Sequence, residues 1–90
     1  MNVRIISYDL RKPGRDYSSL YGSIKFIGTA QCRPLESVWL VRTSLTNAEV
    51  RDRILSHLDA SDGLLVGTMG SDWASLGIDP QAVQWLKQNA

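Results

Sequence analysis

The order of β-rich and helix-forming segments is the feature that most restricts the fold of this chain. Strand, helix, strand, strand, helix and strand segments follow one another over residues 1–69, and one more helix-forming segment ends the sequence. This order predicts an α+β fold of the ferredoxin-like, split βαβ type (βαββαβ) with a C-terminal helix appended. Right-handed crossovers would place the first two helices on one face of the sheet and the first and third strands at its centre.

The second helix has the clearest local signature. A capping box runs from Thr46 to Glu49, in which each of these two side chains accepts a hydrogen bond from the backbone N–H of the other residue. Val50, Ile54 and Leu58 follow at a spacing of four residues, so they form one apolar stripe along the helix. We expect this stripe to face the sheet.

The other elements are predicted from β-branched runs and helix boundaries. Residues 2–10 have the composition of a strand covered on much of both faces. A helix is predicted from Asp16 to Ile27, with Asp16 as its N-cap and Gly28 as its stop signal.

Residues 29–43 leave two interpretations open. Two short strands divided around Pro34–Glu36 are favoured, and one long bent strand is the alternative. Leu64–Met69 is predicted as the last strand. Asp79 is expected to cap the final helix, with Pro80 in its first turn.

Length and composition limit the class of protein. A chain of 90 residues holds one hydrophobic core, so we expect a single domain, with its core over residues 1–69 and an arm and helix over 70–90. No apolar run approaches the roughly 20 residues of a membrane span. The single cysteine, Cys32, cannot form an intrachain disulfide, which favours a reducing, cytoplasmic setting.

The charge is nearly balanced overall but unevenly distributed. Residues 1–45 carry seven Lys and Arg against three acidic residues, whereas residues 46–90 carry three against six. The resulting net charge of +1 is not that of a protein that wraps nucleic acid. Any contact with a polyanion is therefore predicted to be local, near Arg11 to Arg15.

Asp9 is the most suggestive residue for chemistry. It follows Tyr8 at the end of the first strand, and the loop after it contains Arg11, Lys12 and Arg15. A carboxylate in this position can bind a divalent metal when substrate phosphates complete the shell, and a symmetric dimer would bring two copies together. The alternative is an aspartate that caps the loop or pairs with Arg11 or Arg15, and the spacing alone favours this second interpretation.

Other residues offer weaker signals. Tyr17 and Tyr21, with Arg15 and Lys25, are candidates for an aromatic and basic patch that holds bases and phosphates. The outer face of an amphipathic helix is the favoured interpretation of the same four residues. His57 has no Cys, His or Glu at ligand spacing, so we predict no metal site around it.

Three features together resemble a known family. They are Asp9 within Ile-Ile-Ser-Tyr-Asp-Leu, the basic loop after it, and the segment Glu36–Trp39 (Glu-Ser-Val-Trp). In these the chain resembles the CRISPR-associated Cas-two family and its SinR-like and VapD-like relatives, from residue 3 to about residue 69. The closing Trp85–Lys87 (Trp-Leu-Lys) is similar to the SinR-like branch.

The resemblance implies a ferredoxin-like homodimer. In family members that cleave RNA or DNA, the aspartate matching Asp9 is the candidate metal-binding and catalytic residue, whereas in adaptation complexes the protein is a non-catalytic scaffold for DNA. Trp39 stands where Phe is usual, and a C-terminal helix stands where a partner-binding strand would be expected. Both departures argue against a Cas-one partner. We expect the dimer contact in the segment Leu64–Trp85.

The sequence therefore predicts a small cytoplasmic homodimer that acts as a non-catalytic, nucleic-acid-associated or regulatory binding module. Arg11, Lys12, Arg15 and Tyr17 are its candidate nucleic-acid-binding residues. One alternative is a Mg²⁺-dependent endonuclease, acting on RNA or DNA, whose paired Asp9 side chains hold the metal. Another is a protein that binds a nucleotide or small ligand in the dimer cleft. No cofactor is expected unless the protein is a nuclease.

Overall fold

The structure is a computed structural model that describes every residue from Met1 to Ala90. Four strands and three α-helices follow the predicted order. They are β1 (Asn2–Asp9), α1 (Ser18–Phe26), β2 (Ala30–Leu35), β3 (Val38–Thr43), α2 (Asn47–Ile54), β4 (Gly63–Met69) and α3 (Pro80–Asn89). A single turn of 3₁₀-helix over Leu55–His57 continues α2.

The four strands form one antiparallel sheet in the order β2-β3-β1-β4. The predicted α+β class is confirmed, and β1 and β3 lie at the centre of the sheet as the crossover rule requires. This order is compatible with the split βαβ arrangement that the sequence predicts. No helix combines the length and the apolar character that crossing a membrane requires.

The main core lies between the sheet and the first two helices. Fully buried side chains from the sheet, α1 and α2 meet there: Ile6, Val41, Leu20, Ile24, Val50 and Ile54. The predicted capping box of α2 is confirmed, since Glu49 N donates to Thr46 Oγ1 and Thr46 N donates to Glu49 Oε1, both at 3.1 Å. The box fixes the start of the helix, and the spacing of Val50 and Ile54 then directs both into the core.

The C-terminal segment covers part of the opposite face of the sheet. Val3 and Leu40 project from the two central strands and are buried against Leu86 of α3, with Trp73 and Trp85 packed beside them. The predicted start of α3 is confirmed, because Asp79 Oδ1 accepts a hydrogen bond of 2.8 Å from Gln81 N and Pro80 occupies the first turn. This opposite face, which includes Leu65 of β4, is called the open face below.

The first helix differs from its prediction at both ends. Asp16 Oδ1 accepts a hydrogen bond of 2.9 Å from Ser18 N, but the N-cap position belongs to Tyr17, one residue later than predicted, and the helix begins at Ser18. Gly28 does not have positive φ and therefore does not end the helix as a left-handed residue. A Cβ at this position would collide with the carbonyl oxygen of Arg42, so glycine is needed there because the chain passes directly against β3.

Residues 29–43 form the favoured pair of strands rather than one bent strand. β2 and β3 make a hairpin whose turn is Glu36–Ser37, slightly later than predicted. Pro34 lies inside β2, and the pairing with β3 shifts register between Cys32 and Leu35. Proline is tolerated here because β2 is an edge strand and the register is already interrupted.

Candidate functional site

Asp9 ends the central strand β1 and its side chain is 69% exposed. The Nε of Arg11 donates to Asp9 Oδ2 at 2.9 Å. The structure thus contains the ion pair with Arg11 that one of the two interpretations of Asp9 expects. The carboxylate is therefore exposed to solvent but already next to a positive charge.

Asp62 fastens the loop that carries these residues. Its Oδ1 accepts a hydrogen bond of 2.7 Å from the backbone N of Arg11, and its Oδ2 accepts one of 2.8 Å from the backbone N of Asp59. The hydroxyl of Tyr17 donates to both oxygens, at 2.9 and 2.8 Å. Arg11 Nη1 also donates to the carbonyl of Ser61. These contacts hold the loop after β1 against the loop before β4.

The hydrogen bonds of Asp62 also determine its pKa. Loss of water around the carboxylate raises the pKa, but the donors Arg11 N, Asp59 N and Tyr17 Oη together lower it below the ordinary value of 3.8. The pKa of Tyr17 is raised, first by burial and then by its bond to Asp62. The hydrogen bond between them thus favours the charged form of Asp62 and the neutral form of Tyr17.

The predicted nucleic-acid-binding residues are placed unequally. Arg15 Nη1 lies 3.4 Å from Asp59 Oδ1, and its guanidinium lies 5.3 Å from the centre of the Tyr17 ring. Tyr17 itself is only 8% exposed, which leaves its ring little surface for a base. Lys12 is exposed and makes no ion pair. Among the three basic candidates, Lys12 is the residue without a contact ion pair, although its charge helps to lower the pKa of Asp59.

A cavity of about 430 Å³ opens beside Asp9. Its lining combines aromatic rings, carboxylates, a guanidinium and a hydroxyl, and consists of Tyr8, Asp9, Leu10, Tyr21, Arg33, Glu36 and Ser37. The sequence did not predict this cavity, because its residues come from β1, α1 and the β2–β3 hairpin.

Tyr8 and Tyr21 of the cavity lining pack with the buried ring of Trp39. The ring centroids of Tyr8 and Tyr21 are 6.3 Å apart, and those of Tyr21 and Trp39 are 6.2 Å apart. Trp39 Nε1 donates to the hydroxyl of Tyr8 at 3.1 Å, and that hydroxyl donates to the carbonyl of Glu36 at 3.2 Å. The polar atoms of the buried rings are thus satisfied, which fixes the rings in place. Tyr21 therefore joins this group instead of the predicted patch with Tyr17.

Arg33 lies over the rings. Its guanidinium carbon is 4.6 Å from the centre of the Tyr21 ring and 5.5 Å from that of Trp39. Its Nε and Nη2 both donate to the carbonyl oxygen of Glu36, at 2.9 and 2.6 Å. Sequence reasoning missed Arg33, although a hairpin register that pairs Cys32 with Leu40 brings Arg33 next to Trp39.

No group of three or more His, Cys, Asp or Glu side chains is arranged to hold a metal ion. His57 lies in the 3₁₀ turn after α2 and is half-buried. Cys32 is half-buried in β2, and burial raises the pKa of its thiol to about 11. The thiol is therefore protonated at neutral pH and is a weak nucleophile.

No protein-family model matches the chain, and no solved structure matches it with significance. The resemblance to the Cas-two family therefore depends on the sequence motifs alone.

Proposed function

We propose that this protein is a non-catalytic, nucleic-acid-associated binding module of the Cas-two-like type, with a ferredoxin-like fold and a homodimeric assembly. The observation that carries the proposal is the ion pair between Asp9 and Arg11, with Arg11 itself held by Asp62 and Ser61. A guanidinium 2.9 Å from the carboxylate opposes the approach of a divalent cation to the same oxygen. An Asp9 that fastens a loop suits a binding module better than a hydrolase.

The surface around Asp9 offers two kinds of contact to a nucleic acid. Lys12 is exposed and makes no contact ion pair, so its charge can meet a phosphate, and Arg11 keeps more than half of its side chain exposed. Tyr21 and Arg33 line the neighbouring cavity, where an unstacked base can lie against an aromatic or guanidinium plane. With so few free cations, binding is weak and depends strongly on salt.

The test is a salt titration of binding to fluorescently labelled single- and double-stranded oligonucleotides. Lys12→Ala should weaken binding and reduce the slope of log K against log salt by roughly 0.9 for each lost phosphate contact on duplex DNA. Lys87→Ala, which removes the same charge from α3, is the matched control and should change neither quantity.

Two results would contradict the proposal. One is the absence of binding at low salt, and the other is an equal effect of Lys12→Ala and Lys87→Ala. A mononucleotide that binds as tightly as the oligonucleotides would favour the alternative of a nucleotide- or small-ligand-binding protein instead.

The second candidate is a metal-dependent endonuclease, which the exposure of Asp9 at the end of a central strand favours. Arg11 is itself 56% exposed, so it has room to move aside for Mg²⁺. Purified protein would then cleave RNA or DNA with Mg²⁺ or Mn²⁺, and Asp9→Asn would abolish cleavage without lowering the thermal midpoint. Arg11→Ala is the informative companion, because removing the competing cation would tighten metal binding. Absence of metal-dependent cleavage in the wild-type protein would exclude this candidate.

A further inference from the structure

The two edge strands of the sheet differ in how they are protected. β2 contains Arg33, Pro34 and a register shift, all of which oppose pairing with a further strand. β4 (Gly63–Met69) contains no charged residue and no proline, and its pairing with β1 is regular along its whole length. The outer edge of β4 therefore presents a regular, uncharged row of backbone N–H and C=O groups.

Both faces beside this edge have room for the side chains of another strand. On the open face, Leu65 is 73% exposed, and a Cβ added to Gly67 would meet no atom within 4 Å. On the helix face, a groove of about 270 Å³ lies between α2 and β4. It is lined by Asn47, Ala48, Arg51, Leu64, Leu65 and Val66.

We propose that β4 pairs antiparallel with β4 of a second copy of this chain, about a two-fold axis at Val66. This inference rests on the homodimer of the proposed function and assigns its interface. Val66 is the midpoint of β4, so an axis there pairs the full length of both strands and joins the two four-stranded sheets into one continuous sheet.

The register makes the strand complementary to itself. With the axis at Val66, Leu65 of each copy lies opposite Gly67 of the other, on the open face. The leucine side chain fills the empty space over that glycine. It reaches toward the half-buried Ile5 of β1, which is the neighbour of Gly67 in the sheet. No charged side chain of β4 faces another across the axis. A large residue thus meets a small one twice in each dimer.

A second copy fits this edge better than it fits the open face. Leu35 and Leu76 are also exposed on or near the open face, but contact through them would leave the backbone groups of β4 without partners. Strand pairing satisfies those groups and covers Leu65 at the same time. The sequence predicts a dimer contact somewhere in Leu64–Trp85, and the proposal assigns that contact to β4.

The experiment is light scattering on the full chain over a range of micromolar concentrations, with three lysine variants. Wild type should have twice the 10.0 kDa mass of the chain. Leu65→Lys should raise the dimer dissociation constant by roughly a hundredfold, because two leucines lose their contacts at once. Leu35→Lys and Leu76→Lys add the same charge to exposed leucines away from β4 and should remain dimeric.

A second variant tests the register. A Cβ at Gly67 meets no atom of its own chain, but a leucine there would collide with Leu65 of the second copy, so Gly67→Leu should also produce a folded monomer with a cooperative thermal transition. Hydrogen exchange should show that the β4 amides pointing away from β1 are protected in the wild type and exchange rapidly in Leu65→Lys.

The outcomes separate this interface from the rest of the proposed function. If wild type is a dimer that persists in Leu65→Lys and Gly67→Leu, the β4 interface is wrong and the homodimer stands. If wild type has a mass of 10.0 kDa at every concentration, both the interface and the homodimer are wrong. Nucleic-acid binding is decided separately by the comparison of Lys12→Ala with Lys87→Ala.

Discussion

The helix face and the open face of the sheet are covered to different degrees. On the helix face, α1 and α2 cover the central strands, and residues such as Ile24 and Ile54 have no exposed surface. On the open face, the C-terminal segment buries fewer side chains, such as Val3 and Leu40, and leaves Leu65 exposed. The comparison indicates that the helix face supplies most of the stability, whereas the open face and its β4 edge remain free for interaction.

The largest loss of stability is expected from shortening a side chain in the main core on the helix face. Ile54→Ala should lower the free energy of unfolding by about 2–5 kcal/mol, because the side chain is fully buried between α2 and the sheet and a cavity would remain. Leu76→Ala, at an exposed leucine of the C-terminal segment outside the β4 edge, should change it by about 0.5 kcal/mol or less. Urea denaturation measures both. Equal losses for the two variants would remove the distinction between the faces.

A smaller effect is expected where the open face is covered. Leu86→Ala should cost about 2–3 kcal/mol, near the lower end for a buried leucine, because α3 is terminal and can shift to fill the space. Hydrogen exchange should then show faster exchange in α3 and little change in α2. If both helices lost protection equally, α3 would be an integral part of the main core rather than a cover.

The smallest loss of stability is expected where Asp62 joins the loop after β1 to the loop before β4, and this loss depends on pH. The pKa of Asp62 is below 3.8 in the folded protein, so its charged form stabilises the fold above about pH 4, and this contribution disappears as the pH falls through the folded pKa. Asp62→Asn should be less stable than wild type at pH 7, and the difference should shrink below pH 4.

The matched control for this pH dependence is Asp72→Asn, which removes one negative charge from the exposed arm. Thermal unfolding from pH 7 to pH 3 measures all three proteins. A difference between wild type and Asp62→Asn that stayed constant over this range would show that packing, and not ionisation, is the contribution of Asp62.

The order of elements was predictable because its signals are local. Thr46 and Glu49 are three residues apart, and Asp79 caps a helix that begins at the next residue, so each interaction is contained within one turn. The centre of the sheet was also predictable, because handedness restricts how such an order can fold. Helix α1 does end just before Gly28, but the need for glycine there was not predictable, because it comes from Arg42 on β3, which no local pattern contains.

The sequence by itself determined the α+β class, the order of elements and the residue types at the end of β1. Tertiary structure decided which partners those residues have. Tyr17 meets Asp62 across 45 positions, and Trp39 meets Tyr8 across 31 positions. Local propensity acts over about one helical turn, whereas these pairs form only after strand order and register bring distant segments together. For the same reason the free edge of β4 is a property of the folded sheet, and only its lack of charge could be read in the sequence.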